Sequence, residues 1–177
     1  MKKRYLIFSG IVLSGILFTS WTYLKYDTKK IQSTFEDRYS QVVLDDKDDI
    51  LGVYLNKNEQ WHLKSTDKVP EKLREAVLNY EDKNFYSHKG VDMKAVVRAV
   101  RDNVLQRRRT GASTVTMQVA KVLEPKQRSY FNKYREMIHA VKIEKEFTKD
   151  EILSMYLNNA PYGGNIVGYK TASLLYF

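Results

Sequence analysis

Cysteine is absent from the 177 residues of the chain, and proline and glycine are scarce, with 3 and 8 residues. The absence of cysteine excludes a disulfide framework, a zinc–thiolate site and a cysteine nucleophile. The scarcity of glycine and proline excludes a collagen-like chain and argues against low-complexity disorder. Aromatic residues make up 12% of the chain, which is more than a disordered tail usually contains. Length and composition together predict one domain with a buried core.

Positive charge is unevenly distributed along the chain. The net charge is +9, and residues 1–30 contain six lysines and arginines but one aspartate. The rest of the chain is therefore mildly basic, which suits an anionic lipid or a phosphate-bearing substrate as well as nucleic acid. The basic run Arg107-Arg108-Arg109 does not alternate with aromatic residues, as a platform for single-stranded nucleic acid would. No nucleic-acid partner is therefore predicted.

The first hydrophobic run is long enough to cross a bilayer. Residues 5–24 contain no charged side chain, and a helix of this length spans about 30 Å, the thickness of one hydrocarbon core. A cleaved signal peptide is the alternative, but Thr19-Ser20-Trp21 is a poor cleavage site. Basic residues flank the run on both sides, with a slight preference for a cytoplasmic N-terminus. We predict a cytoplasmic segment at residues 1–4 and a single transmembrane anchor at residues 5–24.

Residues 25–69 are predicted to form a juxtamembrane segment with a small β element. Residues 41–44 and 50–55 are apolar, partly β-branched runs on either side of an acidic turn. This pattern is typical of a β-hairpin. The stretch through Trp61 and Leu63 is a candidate third strand.

Helical patterns dominate from Pro70 onward. Leu73, Val77 and Tyr80 repeat at helical spacing behind this proline, which is a favourable first-turn residue. A second helix is predicted after Asp92, whose side chain is a good N-cap. The valines predicted to share one face of that helix are Val96, Val97, Val100 and Val104.

Further helices follow in the same region. Ser113 is predicted to cap a helix that stops at Pro125. Another helix surrounds Met137, and Thr148-Lys149-Asp150-Glu151 is a capping box for a helix that ends before Pro161. The prediction is a mainly α-helical body with a small β-hairpin element.

Three clusters combine acidic, basic and hydroxyl side chains. They are Glu81-Asp82-x-x-Phe85-x-x-His88-x-Gly90, the run from Gly111 to Gln118 with Lys121 behind it, and Lys133-x-Arg135-Glu136. Each cluster has a structural explanation when it is taken alone, such as a solvated acidic pair, a hydrogen-bonded histidine or a plain helix start. The second cluster is not a P-loop, because no Gly-Lys-Ser or Gly-Lys-Thr sequence follows it.

Taken together, the clusters favour a site for an anionic glycosyl substrate. A hydroxyl-rich helix start presents unpaired N–H groups and the positive end of a helix dipole, which favour phosphate. Lys121, Arg128 and Lys133 can add charge-assisted contacts. Glu81 and Glu136 are two separate carboxylates, which suit a general base and an electrostatic partner.

The clusters resemble the ordered signatures of the family 51 peptidoglycan glycosyltransferases. The first two clusters are similar to the first and second signatures, Lys133-Tyr-Arg135-Glu136 resembles the third, and residues 149–158 resemble the fourth. The resemblance extends over about residues 40–177. Residues 116–120 and 160–165 look most like the C-type class A penicillin-binding proteins.

The resemblance implies a lysozyme-like domain at residues 70–177 that lies outside the cytoplasmic membrane and polymerises lipid II into β-1,4-linked glycan strands. The implied partners are lipid II, glycan linked to undecaprenyl pyrophosphate, the cytoplasmic membrane and other cell-wall synthesis proteins. Glu81 would be the general base, and Glu136 would assist at the donor pyrophosphate, directly or through a divalent cation such as Mg²⁺ or Mn²⁺. No organic cofactor is implied. The implied substrate-binding residues are Asp82, Phe85, His88, Ser113, Thr114, Gln118, Lys121, Arg128, Lys133, Arg135 and Asn158.

The sequence departs from the family pattern at two positions. Ala112 stands where the second signature has its second glycine, and a methyl group is tolerated there unless the backbone needs a positive φ. Asn132 stands where the third signature begins with arginine. Because the family domain normally continues for several more helices, the domain at residues 70–177 is expected to be C-terminally incomplete. The alternatives are a non-catalytic protein that still binds lipid II and a lytic glycosidase.

Overall fold

The computed structural model describes residues 2–65, 68–105 and 111–177, and for residues 2–13 and 104 it describes the backbone alone. The helices are α1 (Lys2–Lys25), α2 (Ile31–Glu36), α3 (Glu71–Glu81), α4 (Met93–Val104), α5 (Val115–Leu123), α6 (Tyr130–Glu146), α7 (Lys149–Asn159) and α8 (Tyr169–Tyr176). The strands are β1 (Gln41–Leu44), β2 (Ile50–Tyr54), β3 (Trp61–His62), β4 (Pro161–Gly163) and β5 (Ile166–Val167). Two short 3₁₀ turns at Thr28–Lys30 and Phe85–Ser87 precede α2 and α4.

Side-chain caps set the starts of α4 and α7. The Asp92 carboxylate accepts a hydrogen bond of 3.0 Å from the N–H of Ala95, as its predicted capping role requires. Thr148 and Glu151 exchange the two hydrogen bonds of a capping box at the start of α7. Both predicted caps are confirmed, because they depend on hydrogen bonds between residues three apart in the chain.

The predicted cap of α5 is one residue too early. The N-cap is Thr114, whose hydroxyl accepts a hydrogen bond of 3.2 Å from the N–H of Met117. Thr114 has the extended backbone that a cap residue needs, with φ −85° and ψ 164°. The Ser113 hydroxyl instead accepts a hydrogen bond from Lys133 of α6, so a tertiary contact replaces the capping role predicted for it.

The predicted β-hairpin is confirmed, since β1 and β2 pair antiparallel with Val42 opposite Val53. The candidate third strand forms as β3, but it does not join the hairpin. It pairs in parallel with β5, with Trp61 opposite Ile166, and β5 pairs antiparallel with β4. Sequence patterns miss β4 and β5 because each has only two or three residues and depends on a distant partner.

Helix α5 lies in the centre of the hydrophobic core. Val115 and Val119 are at most 1% exposed, and they share one buried cluster with Ile143 of α6 and Leu157 of α7. The helix contacts both α6 and α7 along its length. The body is mainly helical with small sheets, as predicted, and this architecture fits a lysozyme-like domain.

The faces of α3 and α4 differ from the prediction. Tyr80 is 88% exposed, although it continues the apolar spacing of Leu73 and Val77. On α4 the buried side chains are Ala95 and Ala99. The valine face is exposed to solvent at Val97 (64% exposed) and Val100 (58% exposed). The side chain of Val104 is not among those that the structure describes. Alanine and valine both recur at helical spacing on α4, so periodicity alone cannot distinguish the buried alanine face from the exposed valine face.

Helix α1 packs against α6. The Phe18 and Phe131 rings have centroids 4.9 Å apart, and the Thr19 and Tyr134 hydroxyl oxygens are 2.6 Å apart. Lys142 of α6 donates hydrogen bonds to the backbone carbonyls of Tyr23, at 3.0 Å, and of Tyr26 at the end of α1. Within the part of the chain that the structure describes, no helix combines the length and apolar character needed to cross a membrane.

Candidate active site

Asp82 and His88 form a buried pair at the start of α5. The His88 Nε2 atom lies 3.0 and 3.1 Å from the two carboxylate oxygens of Asp82. The same carboxylate accepts a hydrogen bond of 3.0 Å from the N–H of Val115, the first residue of α5. The two side chains are only 4% and 7% exposed. A carboxylate at a helix N-terminus stabilises the helix, so this pair joins the first sequence cluster to the second.

Phe85 and Thr114 also face inward. Phe85 is 1% exposed and belongs to the core. The Thr114 hydroxyl donates a hydrogen bond of 2.6 Å to the carbonyl oxygen of Gly90. Gly90 has a φ of +90°, and a Cβ at that position would lie 2.7 Å from the backbone of Ala140. These predicted site residues therefore hold the loop before α4 against α5 and α6.

Glu81 is the half-buried carboxylate of the site. It is the last residue of α3, and its Oε2 atom accepts a hydrogen bond of 2.8 Å from Nε2 of Gln118 in α5. Burial, with a further contribution from the nearby Glu81 charge, raises the pKa of Tyr156 to about 12. A neutral phenol of α7 thus lies near this carboxylate. Tyr156 lies within the fourth sequence signature, but it is not among the predicted site residues.

Ser113, Lys133 and Glu136 form a second group at the same end of α5. The Lys133 Nζ atom donates hydrogen bonds of 2.7 Å to the Ser113 hydroxyl and to the Glu136 carboxylate. Lys133 and Glu136 are one turn apart on α6, and their side chains are 40% and 20% exposed. The ammonium group is therefore both oriented by protein and open to solvent.

The two groups are attached to the first turns of one helix. Gln118, which binds Glu81, is four residues after the cap Thr114, which corresponds to about 6 Å along a helix axis. Ser113, which binds Lys133, is the residue before the cap. The structure thereby brings a carboxylate, an ammonium group and a second carboxylate to the N-terminal end of α5.

Other predicted site residues are not joined to this cluster. Lys121 and Arg128 are exposed. Arg135 donates a hydrogen bond of 3.2 Å to Glu124, the C-cap residue at the opposite end of α5. Asn158 is 8% exposed, and its amide nitrogen donates a hydrogen bond of 3.3 Å to Ser154 of its own helix.

The two departures from the family pattern are accommodated locally. Among the described residues, the positive-φ positions outside glycine are Asp48 and Glu59, so the methyl group of Ala112 causes no backbone strain. Asn132 supports the start of α6, where its N–H donates a 3.0 Å hydrogen bond to the Ser129 hydroxyl. Its amide nitrogen donates a 2.8 Å hydrogen bond to the carbonyl of Gln127.

The donor set does not form a metal site made by protein alone. Within the described residues no group of three or more histidine, aspartate and glutamate side chains converges on one point. Glu136, the predicted metal contact, is paired with Lys133 at 2.7 Å. A divalent cation here would need most of its ligands from substrate oxygens.

One cavity lies away from these residues. It measures about 430 Å³ and is lined by Pro70 and Leu73 at the start of α3 and by Tyr169 and Tyr176 of α8. None of the predicted site residues contributes to its lining.

Comparisons with known proteins point to one family. The sequence model of the transglycosylase family matches residues 49–177. Penicillin-binding protein 1F of Bacillus subtilis is 36% identical over 78% of this chain and 19% of its own length. Penicillin-binding protein 1C of Escherichia coli is 40% identical over 62% of this chain and 14% of its own length. A monofunctional glycosyltransferase of Staphylococcus aureus is 40% identical over 64% of this chain and 42% of its own length.

The chain spans less than half the length of each of these relatives. The family match, in contrast, covers well over half of the chain and includes the residues clustered at α5. The chain belongs to the transglycosylase family.

Proposed function

We propose that the chain is a peptidoglycan glycosyltransferase that polymerises lipid II into β-1,4-linked glycan strands and releases undecaprenyl pyrophosphate. Membership of the transglycosylase family supports this reaction class. The observation that carries the proposal is that Glu81 is hydrogen-bonded to Gln118 of α5, while the Ser113–Lys133–Glu136 group is attached just before the first turn of the same helix. Such an arrangement attaches a proton acceptor and a cation to one helix, and transfer of a sugar from a pyrophosphate requires both groups.

Glu81 is the proposed general base. Its carboxylate would take the proton of the 4-hydroxyl group of the acceptor sugar as that oxygen attacks the anomeric carbon of the donor. A positioned general base contributes about 10²- to 10⁴-fold to the rate of such a step. The hydrogen bond from Gln118 supports this role because it holds one carboxylate oxygen and so orients the other.

Lys133 and the start of α5 are the proposed binding site for the leaving pyrophosphate. The bond from the anomeric carbon to the pyrophosphate oxygen breaks as the new glycosidic bond forms, and the pyrophosphate leaves as an anion with inversion. The Lys133 ammonium group would stabilise this charge as it develops. Ser113 and Glu136 support the role by orienting that ammonium group. Lys121 and Arg128, both exposed, would extend the cationic surface for the rest of the donor.

A divalent cation remains a proposed addition to this site. Mg²⁺ commonly uses one or two carboxylates together with substrate phosphates rather than a complete protein cage. Glu136 could be the single protein ligand of such a cation only if its ion pair with Lys133 were broken.

The proposed location is the outer face of the cytoplasmic membrane, with residues 5–24 as the single membrane anchor. The uncharged sequence of this run supports an anchor. The contacts of α1 with α6 support a fixed connection, since α6 carries Lys133 and Glu136. The lipid tail of the substrate and the site would then share one bilayer surface. Other cell-wall synthesis proteins are proposed as partners on the basis of the resemblance alone.

The reaction is tested by incubating the 177-residue chain in proteoliposomes with labelled lipid II. Wild-type protein is expected to produce long glycan, and Glu81→Gln is expected to lower the rate at least 100-fold, since the loss of a general base costs about 10²- to 10⁴-fold. Glu75→Gln is the matched control, because Glu75 is exposed on the same helix; its rate should match wild type. Lipid II binding without polymer would indicate the non-catalytic alternative. Shortening of pre-made glycan would indicate the lytic glycosidase.

A further inference from the structure

Glu144 joins the elements that carry the candidate site. Its Oε1 atom accepts hydrogen bonds of 2.6 Å from the Thr116 hydroxyl and from the Lys149 ammonium group. Thr116 lies in the first turn of α5, Glu144 near the end of α6, and Lys149 at the start of α7. The Lys149 Nζ atom also lies 4.3 Å from the ring centroid of Phe85. One carboxylate therefore connects the second and fourth sequence signatures directly, and the first through Lys149, although it belongs to none of them.

This cluster is buried. The Glu144 and Lys149 side chains are 7% and 19% exposed, and Thr116 is fully buried. A buried hydroxyl requires a hydrogen-bond partner, and a buried charge requires an opposite charge. Loss of Glu144 would leave both of its partners unsatisfied.

The position of Lys149 is explained by Glu144 rather than by its own helix. Lys149 is the first residue of α7, where the positive end of the helix dipole disfavours a cation. The other charged residues of that turn, Asp150 and Glu151, are acidic, as the dipole favours. The ion pair with Glu144 and the contact with the Phe85 ring offset the unfavourable position of this lysine.

Stability alone is a weak explanation for the cluster. A buried ion pair can often be replaced by apolar side chains without loss of stability, because desolvation offsets most of the attraction. A buried ion pair also imposes a defined geometry on its surroundings. Here that geometry involves Thr116, which follows Val115 and lies two residues before Gln118. Val115 binds Asp82 and Gln118 binds Glu81, so a shift of this turn would displace both carboxylates.

We propose that Glu144 is a positioning residue for the transfer reaction: through Thr116 and Lys149 it fixes the first turn of α5 and hence the Glu81 carboxylate. The expected effect of Glu144 on kcat rests on the proposed function, whereas its expected effect on the first turn of α5 does not. The hydrogen bonds of the Glu144 carboxylate are to other protein groups, which makes it a positioning residue rather than a catalytic one. Displacement of a reacting group by about 1 Å can lower a rate by as much as 100-fold.

The single variant Glu144→Gln leaves Lys149 without its partner and is expected to lower both the melting temperature and the rate. The decisive variant is a double one, which removes the ion pair without leaving a buried charge. The double variant Glu144→Met with Lys149→Met is expected to regain most of the lost melting temperature, because no unpaired charge remains and the Thr116 hydroxyl alone lacks a partner. Its kcat should stay about 10- to 100-fold low with KM within about twofold of wild type. Glu146→Met is the matched control, since Glu146 is exposed on the same helix, and it should leave both quantities unchanged.

Two further measurements cover the remaining outcomes. If the double variant does not regain its melting temperature, Thr116→Val, which keeps the ion pair, is expected to lower kcat about tenfold at an unchanged melting temperature, because it releases the same turn. Amide hydrogen exchange in residues 115–118 should accelerate about tenfold in the Glu144 variants, because local opening of that turn becomes easier. Amide exchange is measurable even if wild-type protein makes no polymer. A negative polymerisation assay would therefore contradict the proposed function without contradicting the role of Glu144. Recovery of kcat together with the melting temperature, or unchanged exchange, would overturn it.

Discussion

Gln118 of α5 donates a hydrogen bond of 2.8 Å to the carboxylate of Glu81 at the end of α3. Glu81 ends a surface helix, whereas Gln118 belongs to the central helix of the core. The proposed general base is therefore positioned by a helix that contributes several residues to the core. A base held in this way keeps its orientation although it is half exposed.

Replacing Gln118 with leucine should lower kcat about tenfold, because the Glu81 carboxylate then loses its orienting donor and samples unproductive rotamers. Gln118→Glu should be more damaging, since it brings a second carboxylate within hydrogen-bond distance of the first. Polymerisation of labelled lipid II at saturating concentration measures both effects. Gln32→Leu, an exposed position on α2, is the control. Wild-type kcat in Gln118→Leu would show that Glu81 needs no such donor.

Lys133→Met should lower kcat/KM by about 10- to 100-fold, because a hydrogen bond to a charged group contributes about 1.5–3 kcal/mol. Lys133→Arg keeps the charge and should retain most of the activity. The exposed Lys72 of α3 provides the control variant Lys72→Met. Kinetics over a range of lipid II concentrations supply the measurement. Equal kcat/KM values for Lys133→Met and wild type would contradict a role in pyrophosphate binding.

Gly90→Ala should destabilise the fold by about 3 kcal/mol, since it combines a strained backbone with a clash. The φ of Gly90 is +90°, and a Cβ would lie 2.7 Å from the backbone of Ala140. Gly52→Ala is the matched control, because a Cβ at that position meets no atom within 4 Å. Thermal unfolding in detergent compares the two. Similar melting temperatures would mean that the loop before α4 can adjust without cost.

Stability should fall as the pH is lowered from about 6.5 to about 4, because of His139. Burial lowers the pKa of His139 from 6.5 to about 4; the nearby Glu124 opposes this shift, and Arg135, Lys126 and Lys142 reinforce it. In this pH range the unfolded chain binds a proton that the folded chain does not bind, so acid favours unfolding. His139 stacks on Tyr26 with ring centroids 3.8 Å apart.

His139→Phe tests this assignment, because it keeps an aromatic ring beside Tyr26 but cannot be protonated. The dependence of melting temperature on pH should become flatter between pH 6.5 and 4, the range over which His139 is expected to titrate. An unchanged slope would assign the acid sensitivity to other groups. Measurements above pH 7 serve as the internal control, since His139 is neutral in both states there.

Local patterns in the sequence predict much of the fold. The caps at Asp92 and Thr148 and the hairpin of residues 41–54 depend on contacts between residues close in the chain. Ordered motifs also identify the family, because the signature residues retain their order and spacing. Site residues such as Glu81, Ser113 and Lys133 are predicted in this way, and the structure brings them to one end of α5.

Partners that are distant in the chain are not predictable in the same way. Periodicity cannot reveal that Arg135 pairs with Glu124 rather than joining Lys133. Nor can it identify Glu144, whose partners Thr116 and Lys149 lie on two other helices. Each of these contacts exists only after helices from different parts of the chain have packed together.

The amino-acid sequence by itself determined the helical character, the main caps, the hairpin and the family of this protein, because those properties depend on residue type and short-range spacing. Only the tertiary structure decided which faces are buried, where β3 pairs, and how the carboxylates and lysines are oriented around α5. The physical reason is that burial and hydrogen-bond partners are set by the packing of whole elements, in which a side chain satisfies its polar atoms with whatever the neighbouring helix presents.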